Sequence, residues 1–178
     1  LLGLHLRRLI SQPSDRNLSN NKKSGAPGID LHIHDTHFIQ LLCGMPSAVF
    51  SQGKIAASKD GKSTQFVDYL STQYIYSEQP QLTVSTWSGG ISAKGRSFSH
   101  GFEIFLEKAT LTFSASTLAG QGVAQPLTLI QNTGNVHYPD LGEVDPVDAF
   151  TNEIAYAIST INSKESGDNG FLSGIKAR

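Results

Sequence analysis

The chain has 178 residues, a length that suits one domain with a sizeable core and is short for two. Its net charge is −1 and its isoelectric point is near 6.6, without any block of like charges. A nucleic-acid-binding protein normally carries a basic patch, so we expect no nucleic-acid partner. No apolar run approaches the roughly 18 residues that a membrane span needs, so we expect no membrane partner either.

Both ends of the chain look cut. It begins at Leu1, inside a predicted strand over residues 1–12 and without an initiator methionine. It stops at Arg178, where we expect a new segment to start. We therefore expect a longer parent protein, and a targeting signal could have preceded Leu1. The sequence leaves the compartment open and favours the cytoplasm.

A helix is predicted over residues 26–43. Ser24 suits the N-cap position, and Pro27 suits the first turn. Gly44 followed by Pro46 is a strong helix stop signal. Apolar residues recur between these signals at near-helical spacing: Ile29, Ile33, Phe38, Leu41 and Leu42.

The pattern then changes to short segments rich in aromatic and β-branched residues. The predicted strands cover residues 47–56, 64–77, 82–87, 102–106, 110–113 and 126–131. Lys59–Lys62 is predicted to be a turn. A second helix is predicted over residues 146–161, with Asp145 as its cap and Pro146 in its first turn. Phe150, Ile154, Ile158 and Ile161 would give this helix one apolar face.

These elements predict an α+β fold with a predominantly antiparallel, open β-sheet and helices packed on one face. Strands that follow one another without intervening helices must be mostly antiparallel, because parallel neighbours need long crossovers. The other face of the sheet carries enough tyrosine, tryptophan and phenylalanine to suggest burial against a partner.

Three of the six histidines and two carboxylates lie within the segment Asp30–His37. On a strand, His32 and His34 would point to the same side, and Asp30-x-His32-x-His34 would resemble the metal motif of amidohydrolase barrels. That barrel needs about 250 residues and further ligands. Neither His100 nor His137 has a supporting motif around it, so a metal-dependent hydrolase is the weaker alternative.

On a helix, Asp30 and His34 are four residues apart and face the same way. His37 shares part of that face, whereas His32 points elsewhere. A carboxylate one turn from an imidazole can orient it for proton transfer. Taken alone, the spacing is also common for an ordinary surface pair, so the residues by themselves leave both interpretations open.

The whole chain, in order, resembles the C-terminal domain of the glucose–fructose oxidoreductase/inositol dehydrogenase (Gfo/Idh/MocA) family. Its segment 24–44 resembles the opening helix of that domain, which has a glycine pair, Asp-x-x-x-His, an acidic residue and a leucine-rich run. Residues 101–113 resemble the strand–turn–strand of the family. Residues 146–161 and the later 171–178 resemble its closing section. There are two departures: Ala26 replaces the second glycine, and His37 stands where the family often has aspartate.

The resemblance implies that residues 1–178 are a substrate-binding and oligomerisation domain, and that a Rossmann domain is absent from this chain. No Gly-x-Gly-x-x-Gly follows a strand here. The catalytic lysine of the family would lie in the absent domain, and Lys108 is no substitute because it lies in a predicted hairpin turn. We therefore expect NAD or NADP in the full-length protein, no cofactor bound to this chain alone, and no activity from it alone.

By the same resemblance, the full enzyme would act on the CH–OH group of a sugar, polyol or related compound. His34 would transfer the proton, and Asp30 would orient His34 and help to hold the substrate hydroxyl. His32 and His37 would be site neighbours, and Trp87, Arg96 and His100 could line the site. The resemblance also implies a homo-oligomer formed through the sheet face. The alternative from another class is a non-catalytic binding or assembly module of the same fold.

Overall fold

The computed structural model describes residues 1–11, 26–57, 63–142 and 145–163. Within them the chain forms eight strands and two helices. The strands are β1 (Gly3–Ser11), β2 (Ala48–Ala57), β3 (Ser63–Ile75), β4 (Thr83–Ile91), β5 (Arg96–Phe105), β6 (Ala109–Leu118), β7 (Gln121–Gln131) and β8 (Val136–His137). The helices are α1 (Ala26–Cys43) and α2 (Pro146–Ser163).

The strands form one open sheet in the order β2-β3-β4-β1-β5-β6-β7-β8. β1 pairs in parallel with β4, and every other neighbouring pair is antiparallel. The parallel pair is possible because α1, β2 and β3 lie between β1 and β4 and provide a long crossover. The predicted α+β class with a mostly antiparallel, open sheet is therefore confirmed.

The core lies between α1 and the sheet. α1 packs across β1, β3 and β4. Its Ile39 is fully buried in one cluster with Leu4, Leu6 and Val84. Burial of an aliphatic side chain of this size contributes about 1.5–3 kcal/mol. This packing fixes α1 on one face of the sheet, and the polar side chains of the helix are positioned by it.

The second helix has the apolar face that its sequence predicts, but the described residues do not cover that face. Phe150 is 67% exposed and Ile154 is 61% exposed. Packing of a helix on the sheet is thus seen for α1, whereas α2 presents an apolar stripe to the outside. In the part of the chain that the structure describes, neither helix is both long and apolar enough to cross a membrane.

Most element boundaries follow the predicted ones. The bounds of α1 coincide with the prediction, and α2 begins at Pro146 as predicted. Four strands extend well beyond their predicted bounds: β4 ends at Ile91 and not at residue 87, β5 begins at Arg96 and not at residue 102, β6 ends at Leu118 and not at residue 113, and β7 begins at Gln121 and not at residue 126. The two-residue strand β8 was not predicted. The predicted cap at Ser24, the turn at Lys59–Lys62 and the segment 171–178 lie outside the described residues.

Gly89 allows β3 and β4 to approach beside the buried Ser88. Its φ angle is 144°, and a Cβ atom added there would lie 2.2 Å from the carbonyl oxygen of Asp68. We expect Gly89→Ala to lower the free energy of unfolding by about 3 kcal/mol, because the alanine meets both backbone strain and a steric clash. Urea unfolding measures this loss.

The matched control is Gly95→Ala, since a Cβ atom at Gly95 meets no atom within 4 Å in the described structure. We expect this variant to change the free energy of unfolding by no more than about 0.5 kcal/mol. Equal losses in the two variants would contradict the proposed role of Gly89.

Candidate active site

The sheet face under α1 changes from apolar to polar along β1. At one end of this face the cross-strand row is Val84–Leu4–Ile104, and two residues further along β1 it is Thr86–Leu6–Phe102. The next row is Ser88–Arg8–His100. Side chains at every second strand position share a face, so the charged and polar row continues the apolar one. The N-terminal half of α1 lies over this polar end.

Asp35 of α1 is the centre of a buried polar network. Its side chain is 1% exposed and accepts three hydrogen bonds through its two oxygens. Arg8 Nε donates to Oδ1 at 3.1 Å, while Thr86 Oγ1 at 3.1 Å and Ser88 Oγ at 2.9 Å donate to Oδ2. A buried carboxylate requires such partners, because losing water without compensation costs several kcal/mol. The network thereby fixes Arg8 against α1.

His32 extends the network on the other side of Ser88. Its Nδ1 lies 3.3 Å from Ser88 Oγ, and its Nε2 lies 3.2 Å from Tyr74 Oη. Because Ser88 gives its single hydroxyl proton to Asp35, its oxygen accepts from His32, and Nδ1 therefore carries a proton. Burial lowers the pKa of His32, and the nearby Asp35 carboxylate opposes this shift. His32 is thus a core histidine with two partners.

This lowered pKa predicts that stability depends on pH. As pH falls through about 6.5, the unfolded chain binds a proton at His32 while the folded chain does not, so the free energy of unfolding decreases. The contribution is complete above pH 6.5 and is lost as pH falls toward the lower folded pKa, with a slope of at most about 1.4 kcal/mol per pH unit for one group. Urea unfolding at pH 7.5, 6.5 and 5.5 measures it.

Burial also lowers the pKa of His100, so this residue changes the free energy of unfolding with pH in the same direction as His32. His32→Gln should therefore reduce the dependence on pH without abolishing it, and the double variant with His100→Gln should reduce it further. An unchanged slope in His32→Gln would show that this histidine takes up its proton equally in both states.

A cavity of about 320 Å³ lies beside α1, next to the polar end of the sheet face. The residues that line it are Leu6, Arg8, His34, Asp35, Phe38, His100, Gly101, Phe102 and Phe113. Its aromatic wall is continuous: the ring centroids of Phe102 and Phe113 are 5.7 Å apart, and those of His100 and Phe113 are 5.4 Å apart. The cavity therefore combines an apolar wall with two imidazoles and a guanidinium group that is paired with the Asp35 carboxylate.

The structure brings only part of the predicted site to this cavity. His34 lines the cavity and is exposed. Asp30 and His37 on the same helix are also exposed, but they do not line the cavity. Among the described residues, no hydrogen bond joins Asp30 to His34, and Asp30 is not a lining residue of the cavity. His32 points into the core. Asp30 and His34 are nevertheless one helical turn apart on α1, as their spacing predicts.

His100 lines the cavity, whereas Trp87 lines a separate depression on the opposite face of the sheet. Arg96 is the first residue of β5 and does not line the cavity. Arg8 was not among the site residues predicted from the sequence. One feature of the sequence could have identified it. Arg8 follows Leu4 and Leu6 at every second position of β1, so its side chain is expected on the same inward face as theirs.

The metal-site interpretation required Asp30-x-His32-x-His34 to lie on a strand, but the three residues lie on α1. There His32 points to Ser88 and Tyr74, while His34 points to the cavity. Within the described ranges, no group of three histidine, cysteine or acidic residues could hold a metal ion. The strand that the hydrolase alternative required at these residues is therefore not formed, and that prediction is wrong.

No protein-family model matches the sequence, and no curated protein matches it. Solved structures do match. Levoglucosan dehydrogenase in complex with NADH and L-sorbose has a TM-score of 0.60 at 16% identity, over 91% of this chain and 49% of that one. Biliverdin reductase from Synechocystis, in complex with biliverdin and NADP+, has a TM-score of 0.56 at 9% identity, over 92% and 47%.

A third match is a super-repressor mutant of Gal80p from Saccharomyces cerevisiae, with a TM-score of 0.53 at 11% identity, over 91% of this chain and 47% of that one. The chain thus spans about half the length of the structures that it matches. At these identities the likeness is one of fold. Over that half, the chain has the fold of the Gfo/Idh/MocA-type oxidoreductases.

Proposed function

We propose that residues 1–178 are the substrate-binding domain of an NAD(P)-dependent oxidoreductase that acts on the CH–OH group of a sugar, polyol or related compound. The observation that carries this proposal is the cavity beside α1, which is lined by exposed His34 together with an aromatic wall. Aromatic rings suit the C–H faces of a sugar, and an imidazole suits a hydroxyl. Levoglucosan dehydrogenase, which has the same fold, was solved with NADH and levoglucosan.

His34 is the proton-transfer group in this proposal. Its exposed imidazole lies at the cavity, where a substrate hydroxyl can reach it. Asp30, one turn earlier on α1, orients the imidazole once substrate is bound. The ion pair of Arg8 and Asp35 also lines the cavity, with the Asp35 carboxylate buried and the Arg8 side chain 25% exposed. His34 and Asp35 are neighbours in sequence but have different roles in this proposal. His34 transfers the proton, and Asp35 holds the structure of the site.

The described residues contain no glycine-rich turn between a strand and a helix that could hold a dinucleotide. We therefore infer that a separate nucleotide-binding domain holds NAD or NADP. Once bound there, the nicotinamide supplies the hydride acceptor or donor. On this proposal the chain alone binds substrate and does not turn it over.

The deciding experiment reads the parent gene upstream of Leu1 and titrates the encoded protein with NADH and NADPH. We expect a strand–glycine-rich turn–helix unit upstream and quenching of protein fluorescence by one of the two nucleotides. An open reading frame that begins near Leu1, together with no nucleotide binding, would overturn the enzyme proposal.

A non-catalytic binding or assembly module is the second candidate. The match to Gal80p favours it, because that solved structure is a super-repressor mutant and has the same fold. The exposed apolar face of α2 and the exposed Trp87 on the open sheet face also suit contacts with another chain. On either candidate we propose a homo-oligomer formed through the open sheet face, which light scattering of the purified protein tests.

A further inference from the structure

Arg8 offers unused hydrogen-bond donors to the cavity that contains His34. A guanidinium group has five N–H donors. Only Nε is used by Asp35, and among the described residues neither Nη1 nor Nη2 makes a hydrogen bond. The Arg8 side chain is 25% exposed and lines the cavity. Among the described residues, four of its N–H donors are therefore without a partner, and we take these as the donors that a ligand can use.

Asp35 holds this guanidinium in place without competing for the ligand. The carboxylate is nearly fully buried and accepts bonds from Arg8, Thr86 and Ser88. Both residues line the cavity, but Arg8 is 25% exposed and Asp35 only 1%, so the guanidinium is the more accessible charge of the pair. His100 lies directly opposite Arg8 on β5, and burial lowers its pKa most, with a further lowering by Arg8 that Asp35 opposes.

We propose that the substrate carries a carboxylate, and that this carboxylate binds to Nη1 and Nη2 of Arg8 while His34 acts on a hydroxyl of the same molecule. This inference rests on the proposed function and names its substrate class as hydroxy acids of the sugar-acid type. The planar fork of arginine matches a carboxylate through two parallel hydrogen bonds. The aromatic wall formed by Phe102 and Phe113 accommodates the carbon chain. The carboxylate binds and is not itself changed.

The test compares two probes that differ at one carbon. D-gluconate carries a carboxylate where D-glucitol carries a hydroxymethyl group. Each is titrated into the 178-residue chain by calorimetry, with chemical shifts of the histidine ring nitrogens as the second readout. We expect D-gluconate to bind at least about tenfold more tightly than D-glucitol, and to shift the ring nitrogens of His34 and His100.

Arg8→Lys keeps a positive charge beside Asp35 but removes the fork, so the preference for D-gluconate should fall at least about fivefold. Arg7→Lys is the matched control, since Arg7 lies on the opposite face of the sheet and lines a different depression. Its preference should stay within about twofold of the wild-type value. Unfolding curves check that both variants fold.

Equal binding of the two probes, binding of neither, or equal losses in Arg7→Lys and Arg8→Lys would each overturn the proposal. Acetate binding as tightly as D-gluconate would also overturn it, since that would indicate a general anion site. Binding of neither probe would also count against substrate binding by the chain alone. The other outcomes leave the proposed oxidoreductase function standing, because nucleotide binding to the parent protein tests it separately.

Discussion

Replacing His34 by alanine in the protein that contains the nucleotide-binding domain is expected to lower kcat about 10²–10⁴-fold, the usual contribution of a positioned acid–base group. His34 is the exposed imidazole that lines the cavity beside α1, and Asp30 lies one turn before it. Truncation to alanine removes the proton acceptor without touching the core. Steady-state oxidation of a sugar or polyol by NAD+ or NADP+, measured across pH, gives kcat and kcat/KM.

His37→Ala is the control for this prediction. His37 is exposed on the same helix three residues later and does not line the cavity. We expect kcat within about threefold of the wild-type value, and unchanged affinity for the nucleotide in both variants. Full activity in His34→Ala, or equal losses in the two variants, would remove His34 from the proposed mechanism.

The sequence predicts α1 well because its signals are local. Pro27 marks its first turn, and Gly44 with Pro46 marks its end. At Ala26 the structure gives a physical reason for the glycine in the family pattern. Its φ angle is 69°, in the left-handed region that favours glycine, and the family pattern has glycine at that position.

The polar network could not be predicted, because it depends on which strands are neighbours. Arg8 and Asp35 are 27 residues apart, and Ser88 lies 53 residues beyond Asp35. They meet only because β1 pairs with β4 beneath α1. The same pairing turns His32 from a candidate site neighbour into a core residue. Helical spacing predicts which side chains share a face, but it does not predict which face is buried.

Two features could not be predicted from the sequence, for related reasons: the short strand β8 and the surface that would cover α2. A two-residue strand has no measurable alternation, so its sequence carries no period. The apolar face of α2 was predicted correctly from its spacing, but amphipathicity does not identify the surface that covers it. What the sequence predicts here is a pattern along one element, and what it leaves open is the neighbour of that element.

The largest loss of stability is expected from Asp35→Ala. The change leaves the Arg8 guanidinium without its carboxylate and leaves the buried hydroxyls of Thr86 and Ser88 without their acceptor. Removing one partner of such a buried pair costs about 3–5 kcal/mol. Asp35→Asn keeps an acceptor for the hydroxyls, so we expect a smaller loss, and Asp30→Ala, an exposed change on the same helix, should alter stability by about 0.5 kcal/mol or less. Urea unfolding at pH 7 orders the three variants.

A loss in Asp35→Ala no larger than that in Asp30→Ala would show that the network contributes little to folding. The proposed fixed guanidinium would then lose its physical basis, because nothing else described at this end of the sheet holds Arg8 against α1.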